Sequence, residues 1–509
     1  MINVDTKGWV TVSQHGRPPL SQAATEFLSR GTVLHVIDGE EVAARSGRIR
    51  DVLNPSDGST ITTVVAGGAH DVDRAVRAAA TAFADGRWRR LPPRERERRL
   101  RDLAQRIESQ ADVIGDLDSL DAGILRRYSA YIAEYSANAL NYYAGWPSKL
   151  AGQLPPAGPD YVVQERVEPI GVMGVIKPWN GPAALFAQVA PALAAGNSVV
   201  LKPAEHTPLS ASFLALIALD AGIPPGVFNV VHGDGVAGSA LVEHPGIGRL
   251  SFTGSVATGR ALAAAAAKTF KRANLELGGK SPVIVFPDAD LDAAADAATK
   301  AVWNNSGQVC TAGSRTLVHR SVYEDFLTEA EKLTRDLKVG DAFDAASDLG
   351  PLITPEQLAK VESYVDIGKR EGATARYEGR ADGPAGGNYH APVIFSGVRN
   401  DMTIAREEIF GPVMCVLPFD DEADAYEIAN ATEFGLAAGV FTRDIARANR
   451  AADALDVGTV WINCYQVTDA AVSYGGAKNS GYGRSLGRPA LAEYTRHKTV
   501  WSRSYGADA

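Results

Sequence analysis

From Gly171 to Phe286 the chain repeats one unit, a short apolar run followed by a helical stretch. Val172 to Ile176 precedes a helix reaching Ala195, and Ser198-Val199-Val200-Leu201 follows. A helix from Ser210 to Ala221 leads to Val227-Phe228-Asn229-Val230-Val231, and another leads to Arg249-Leu250-Ser251-Phe252. Ala261 to Ala267 is helical again, and Pro282 to Phe286 is extended. Repetition of this kind predicts a parallel sheet with crossover helices. The pattern then restarts, from Leu291 through Tyr323 to Val440-Phe441, which predicts a second α/β domain. A chain of 509 residues is too long for one hydrophobic core, in keeping with several domains.

Composition excludes some classes of function. The formal net charge is −9 and no basic field covers the chain, so nucleic acid is not an expected partner. No run approaches the roughly 20 apolar residues that span a bilayer, so no membrane is expected either. Met1-Ile2-Asn3-Val4-Asp5-Thr6-Lys7 lacks a basic start followed by an apolar run, so no signal peptide is expected. The cysteines are Cys310, Cys415 and Cys464; an odd count without C-x-x-C spacing indicates neither a disulfide framework nor a zinc site. The nine histidines form no ligand cluster, so no metal is expected. A reducing cytoplasm fits best.

Six segments carry chemistry. Asn304 to Arg315 sets a lone thiol, Cys310, among small and polar residues between Gly307 and Gly313. That composition suits a turn and a helix start, where free N–H groups would favour the nucleophilic thiolate. A buried structural thiol is the alternative. Val199-Val200-Leu201-Lys202-Pro203-Ala204-Glu205 ends a strand, where ligands of parallel sheets bind. Lys202 and Glu205 there could hold a ribose, or form a surface ion pair. Phe252-Thr253-Gly254-Ser255 turns from a strand into a helix, and Ser255 is placed for a pyrophosphate or an ordinary helix cap. Gly233-Asp234-Gly235-Val236-Ala237-Gly238 matches a dinucleotide fingerprint but lacks the acid expected after the next strand, where Ser251-Phe252-Thr253-Gly254 stands. Asn180, after Pro178-Trp179, offers a neutral amide donor for an oxyanion, and Glu276 lies between Leu275 and Leu277, a setting that raises a carboxyl towards the range of a general base.

Together these segments resemble the aldehyde dehydrogenase superfamily over nearly the whole chain. The motifs are P-W-N at 178–180, K-P-A-E at 202–205, F-T-G-S at 252–255, E-L-G-G-K at 276–280, G-Q-V-C at 307–310 and E-E-I-F-G-P at 407–412, with a similar tail from Gly475 to Gly481. The resemblance implies that Cys310 is the nucleophile and Glu276 the general base. The Asn180 amide and the Cys310 N–H would form the oxyanion hole. It implies that NAD is the cofactor. Lys202 and Glu205 would hold its adenosine ribose, Ser255 its pyrophosphate and Glu408 its nicotinamide ribose, with Phe410 and Trp179 close by. An acid at Glu205 favours NAD over NADP.

The implied fold is a Rossmann-like cofactor domain (residues 1–146 and 170–278), an α/β catalytic domain (279–480) and a small β oligomerisation flap (147–169 and 481–509). Homodimers or homotetramers are expected. Three positions depart from the family: its frequent Lys after the P-W-N turn is Gln188, its tail acid is Ser485, and Ile124 replaces another Lys. Gly181, Val309 and Thr311 would line a wide tunnel without a charged anchor, with Tyr474 as one wall. That suits an aromatic or long-chain aldehyde. Two alternatives stand beside oxidation to the acid: a CoA-acylating relative, which needs no water-activating Glu276, and a non-catalytic member.

Overall fold

The computed structural model describes residues 18–503 together with the paired strands Asn3–Val4 and Val10–Thr11; the rest of the N-terminal stretch read for a leader lies outside the described residues. The fold is α/β, built on two large sheets. The first has eight strands in the order Gly481–Tyr482, Arg272–Glu276, Arg249–Thr253, Val172–Ile176, Ser198–Lys202, Phe228–Val230, His35–Ile37 and Glu40–Val42. Its five central strands are parallel and its edges antiparallel. The second has seven strands and is parallel except at the Thr374–Glu378 edge.

The alternation in the sequence is therefore real, and its physical cause is burial. Val172 to Val175, Ser198 to Lys202 and Pro282 to Val285 are buried at every residue. Helices cover them: Phe186–Ala195 is buried along its whole length, and Leu209–Asp220 over most of it. Parallel strands need such crossovers, which is why each apolar run is followed by a helix. Tyr161–Pro169 stands outside both sheets and pairs along nine residues with Thr495–Arg503.

Asn197 joins these parts. Its side-chain oxygen accepts from the N–H groups of Ile170 and Gly171 at 2.8 and 3.0 Å. Its amide donates to the carbonyls of Ala192 and Tyr494 at 3.1 and 2.9 Å. One fully buried side chain thus ties the start of a central strand, the end of a helix and the C-terminal segment. Asn197→Ala removes all four bonds and leaves buried partners unsatisfied; a loss of about 2–4 kcal/mol is expected, read as a lower unfolding midpoint against the wild-type protein.

Candidate active site

The sheet register brings the segments together. Thr253 pairs with Glu276, Phe252 with Ile176, and Ile176 with Lys202. Glu276, Thr253 and Lys177 therefore stand level at the carboxyl ends of three adjacent strands, on one face, because side chains of paired residues share a face. Asn180 follows three residues after Lys177 and Lys202 ends the next strand. Brought against this edge is the loop carrying Cys310, which belongs to the second half of the chain.

The local structure of that loop differs from expectation. Cys310 does not start a helix. It lies in a turn after the short 3₁₀ segment Asn304–Gly307 and before the strand Arg315–His319. Asn305 and Ser306 adopt left-handed backbone (φ 48° and 53°), and Gly307 does too (φ 75°). A Cβ at Gly307 would lie 2.1 Å from the Gly411 carbonyl, so only glycine lets the loop sit there. Small and polar residues were correctly read as a turn, but the strain of three successive left-handed residues ends the helix before the thiol rather than beginning one at it.

Asn180 donates to the Gln308 carbonyl at 2.9 Å, and Asn305 donates back to the Asn180 carbonyl at 3.3 Å. The Asn180 amide has two N–H groups, so one anchors it to the thiol loop. Cys310 is half-buried over the whole residue, but its sulfur is enclosed, and burial pushes the thiol up to about 11. The Tyr474 hydroxyl lies 3.3 Å from that sulfur. Glu276 is buried and neither of its carboxyl oxygens has a hydrogen-bond partner among the described residues. Burial pushes it up to about 8; the Ser485 hydroxyl and backbone, Arg484 and Lys177 act in the opposite direction.

Lys177 is itself buried, and its ammonium donates to the Gln188 side-chain oxygen at 2.9 Å. Desolvation draws it down to about 8, while Cys310 and Glu276 favour its charged form. The Asn274 amide reaches the Ser485 hydroxyl at 3.3 Å, and Gln188 approaches it at 3.5 Å. Gln188 and Ser485, two of the three departures from the family pattern, are thus neighbours, and a cation reaches them from the strand end rather than from the helix.

A second group of residues surrounds this core. Lys202 is buried, donates to the Pro203 carbonyl at 2.9 Å and faces Glu205 at 3.6 Å. Ser255 caps the helix Val256–Ala267, accepting from the Thr258 N–H at 3.2 Å. Asp234 caps the helix Gly235–Glu243 in the same way at 2.9 Å, which is what the literal glycine fingerprint does here. Glu408 accepts from the Gly279 N–H at 3.0 Å, and a Cβ at Gly278 would stand 2.2 Å from its carboxyl. Trp179 and Phe410 meet edge to face at 5.4 Å. The Ser480 hydroxyl donates to the Gly278 carbonyl at 2.7 Å and accepts from the Gly435 N–H at 3.0 Å, tying the tail to both sides of the site.

A cavity of about 350 Å³ is lined by Tyr131, Glu134, Tyr135, Tyr142 and Asp469 among others. Tyr135 lies within electrostatic reach of both Cys310 and Glu276. The residues expected to line a tunnel, Gly181, Val309 and Thr311, are not among its walls, and Thr311 is buried. Sequence reasoning missed Lys177 and took Tyr474 for a wall alone. The available signals were a lysine closing an otherwise apolar strand and a phenol directly before Gly475-Gly476.

Two parallel-sheet units with a cysteine, an amide and an unpaired buried carboxyl at their junction define an α/β protein with a thiol-centred site. The model of the aldehyde dehydrogenase family matches residues 42–500, and the chain belongs to that family. It is 42% identical to the betaine aldehyde dehydrogenase of Agrobacterium fabrum, over 96% of this chain and 99% of that protein. It is also 42% identical to the mitochondrial benzaldehyde dehydrogenase of Antirrhinum majus, over 95% and 90%. The NAD⁺ complex of an aldehyde dehydrogenase from Bacillus cereus superposes with a TM-score of 0.94 at 40% identity, covering 96% of this chain and all of that one.

Because the thiol is raised to about 11, most of it is protonated at neutral pH. Alkylation of Cys310 by iodoacetamide is expected to be slow there and to rise about tenfold per pH unit as thiolate forms, checked by following the labelled peptide.

Proposed function

We propose that the protein oxidises an aldehyde to the carboxylic acid with NAD, using Cys310 as nucleophile, Asn180 as oxyanion donor and Glu276 as general base. The observation that carries this is the shared site: the Cys310 sulfur, the Asn180 amide anchored to its loop, and a buried Glu276 carboxyl with no partner of its own.

The donor set fits the cofactor. Lys202 and Glu205 present a cation and an acceptor at a strand end for one ribose, and the acid repels a 2′-phosphate, which favours NAD over NADP. Ser255 begins a helix, where N–H groups suit a pyrophosphate. Glu408, with Trp179 and Phe410 beside it, suits the nicotinamide ribose. Bound there, NAD supplies the hydride acceptor.

The chain's own residues do the rest. Cys310 adds to the carbonyl carbon, and the developing oxyanion is held by the free N–H of Asn180 and the backbone N–H of Cys310. After oxidation the acyl group remains on sulfur as a thioester. Glu276 then takes a proton from water, which attacks the thioester and releases the acid. The unpartnered carboxyl favours water over CoA as acceptor, since a CoA thiol needs no such base.

The cavity suits a bulky, uncharged aldehyde, aromatic or long-chain, with three tyrosine rings against its tail. Glu134 and Asp469 in the same wall support a second reading, a cationic tail over aromatic faces. Both exclude a carboxylate tail. The Agrobacterium and Antirrhinum relatives carry names from these two classes. The paired strands Tyr161–Pro169 and Thr495–Arg503, with Tyr161, Val162 and Trp501 exposed, are assigned to contacts between subunits of a homodimer or homotetramer. Three unpaired cysteines suit the cytoplasm. Domain limits at 1–146 with 170–278, and 279–480, complete the reading.

The test is NADH formation, with recovery of the acid, over aromatic, long-chain, quaternary-ammonium and carboxylated aldehydes. The first two classes are expected to turn over and the last to fail; no NADH from any class sinks the proposal.

Asn180→Ala should lower kcat by ~10²–10³. Glu276 is protonated below about 8, so the hydrolytic step should gain about tenfold per pH unit up to that value and then level off. Glu276→Gln should release one NADH per site and then stall, with acyl group on Cys310 detectable by mass spectrometry.

A further inference from the structure

The Cys310 sulfur has a problem that its loop does not solve. No helix begins at it, so no row of free N–H groups faces a thiolate. Glu408 and Glu276 both lie within electrostatic reach and disfavour negative charge on sulfur. Lys177 is the facing cation, and its ammonium is turned to Gln188. Tyr135 and Tyr465 also face the thiol without bonding to it. Two groups act the other way: the Thr311 N–H and the Tyr474 hydroxyl. Among the described residues, Tyr474 makes the side-chain hydrogen bond to the sulfur, at 3.3 Å.

Its position is set by backbone. Tyr474 and Ser485 exchange N–H···O bonds of 2.7 Å in both directions. Arg484 clamps the same turn, donating to the Ser473 hydroxyl at 2.9 Å and to the Gly475 carbonyl at 3.0 Å. The phenol is therefore held at the sulfur by the tail that also carries Ser485 to Glu276.

We propose that Tyr474 is a catalytic residue, whose hydroxyl donates a hydrogen bond to the Cys310 sulfur and stabilises the thiolate that attacks the aldehyde. In the resting thiol either group can donate. A thiolate has no proton, so the phenol must. Burial and the neighbouring Cys310 and Glu276 hold its own pKa well above the ordinary value, so it keeps its proton throughout. The S–H bond breaks and its proton is released to solvent water, which leaves Glu276 free for the later hydrolytic step. The sulfur lone pair forms the S–C bond, and the carbonyl π pair moves to the oxygen facing Asn180. Tyr474 gives up nothing; it acts as a fixed dipole. A hydrogen bond to a charged acceptor lowers the pKa by about one to two units, a ten- to hundredfold gain in thiolate. This rests on Cys310 being the nucleophile.

The experiment uses Tyr474→Phe, which removes one oxygen and keeps the ring. Iodoacetamide labelling of the full-length protein is followed from roughly pH 7 to 10 without cofactor or aldehyde, and the labelled cysteine is identified by peptide mass spectrometry. The rate at Cys310 should fall about ten- to hundredfold at each pH with the slope unchanged, while Cys464 labels as in wild type. Rates at Cys310 within twofold of wild type, or faster, overturn the proposal and leave the ring as a wall only. A shift at Cys464 equal to that at Cys310 overturns it too, since the effect would not be local. Wild-type turnover that persists after complete labelling of Cys310 would instead refute the nucleophile itself, and is seen without the variant.

Discussion

A thiol, a carboxyl and an ammonium are held out of water together without being paired. Cys310, Glu276 and Lys177 occupy one buried site, and each is pushed by desolvation towards its neutral form. Direct pairing of Lys177 with Glu276 would lower the cost, yet Lys177 donates to the neutral Gln188 and Glu276 keeps both oxygens free. A carboxylate already neutralised by an ammonium would be a poor base, and a thiol exposed to water would be a poorly discriminating nucleophile. The rest of the structure makes this unfavourable arrangement tolerable.

It does so with rigid backbone. The carboxyl ends of parallel strands fix Glu276 and Lys177 in register. The left-handed turn from Asn305 to Gly307 fixes the thiol loop, and Gly307 admits the backbone of Gly411 against it. The tail returns over the site, with Leu277 donating to the Ser480 carbonyl at 3.0 Å and the Ser480 hydroxyl bridging Gly278 and Gly435. Strain of this kind persists only where surrounding contacts over-determine it. Here those contacts come from both sheets, so the site can form only when the two halves of the chain are packed together.

Much of this was legible beforehand. The alternating apolar runs were strands because parallel strands covered by helices must be apolar along their length. Glu276 between two leucines did become a buried, raised carboxyl, since the strand is buried from Ala273 to Glu276 and neighbouring residues share that environment. The turn around Cys310 was legible from its small and polar residues; its helix start was not, because the left-handed run depends on where the Gly411 backbone lies. Tyr474 and Lys177 were hidden for the same reason. Their sequence distances from Cys310 and Glu276 exceed 90 residues, and no local pattern encodes which distant strand end they will face. The cavity walls, Tyr131 to Tyr142 and Asp469, come from a helix and a loop that carry no motif.

Local sequence determined the repeating strands and helices, the turns that end them, and which residues have chemistry to offer, because periodicity and turn preference act over a few residues. Tertiary structure alone decided what those residues meet: a phenol at the thiol, an amide between lysine and serine, and a carboxyl left without a partner. Such contacts join segments far apart in the chain, and they exist only once register and packing have fixed the distance between them.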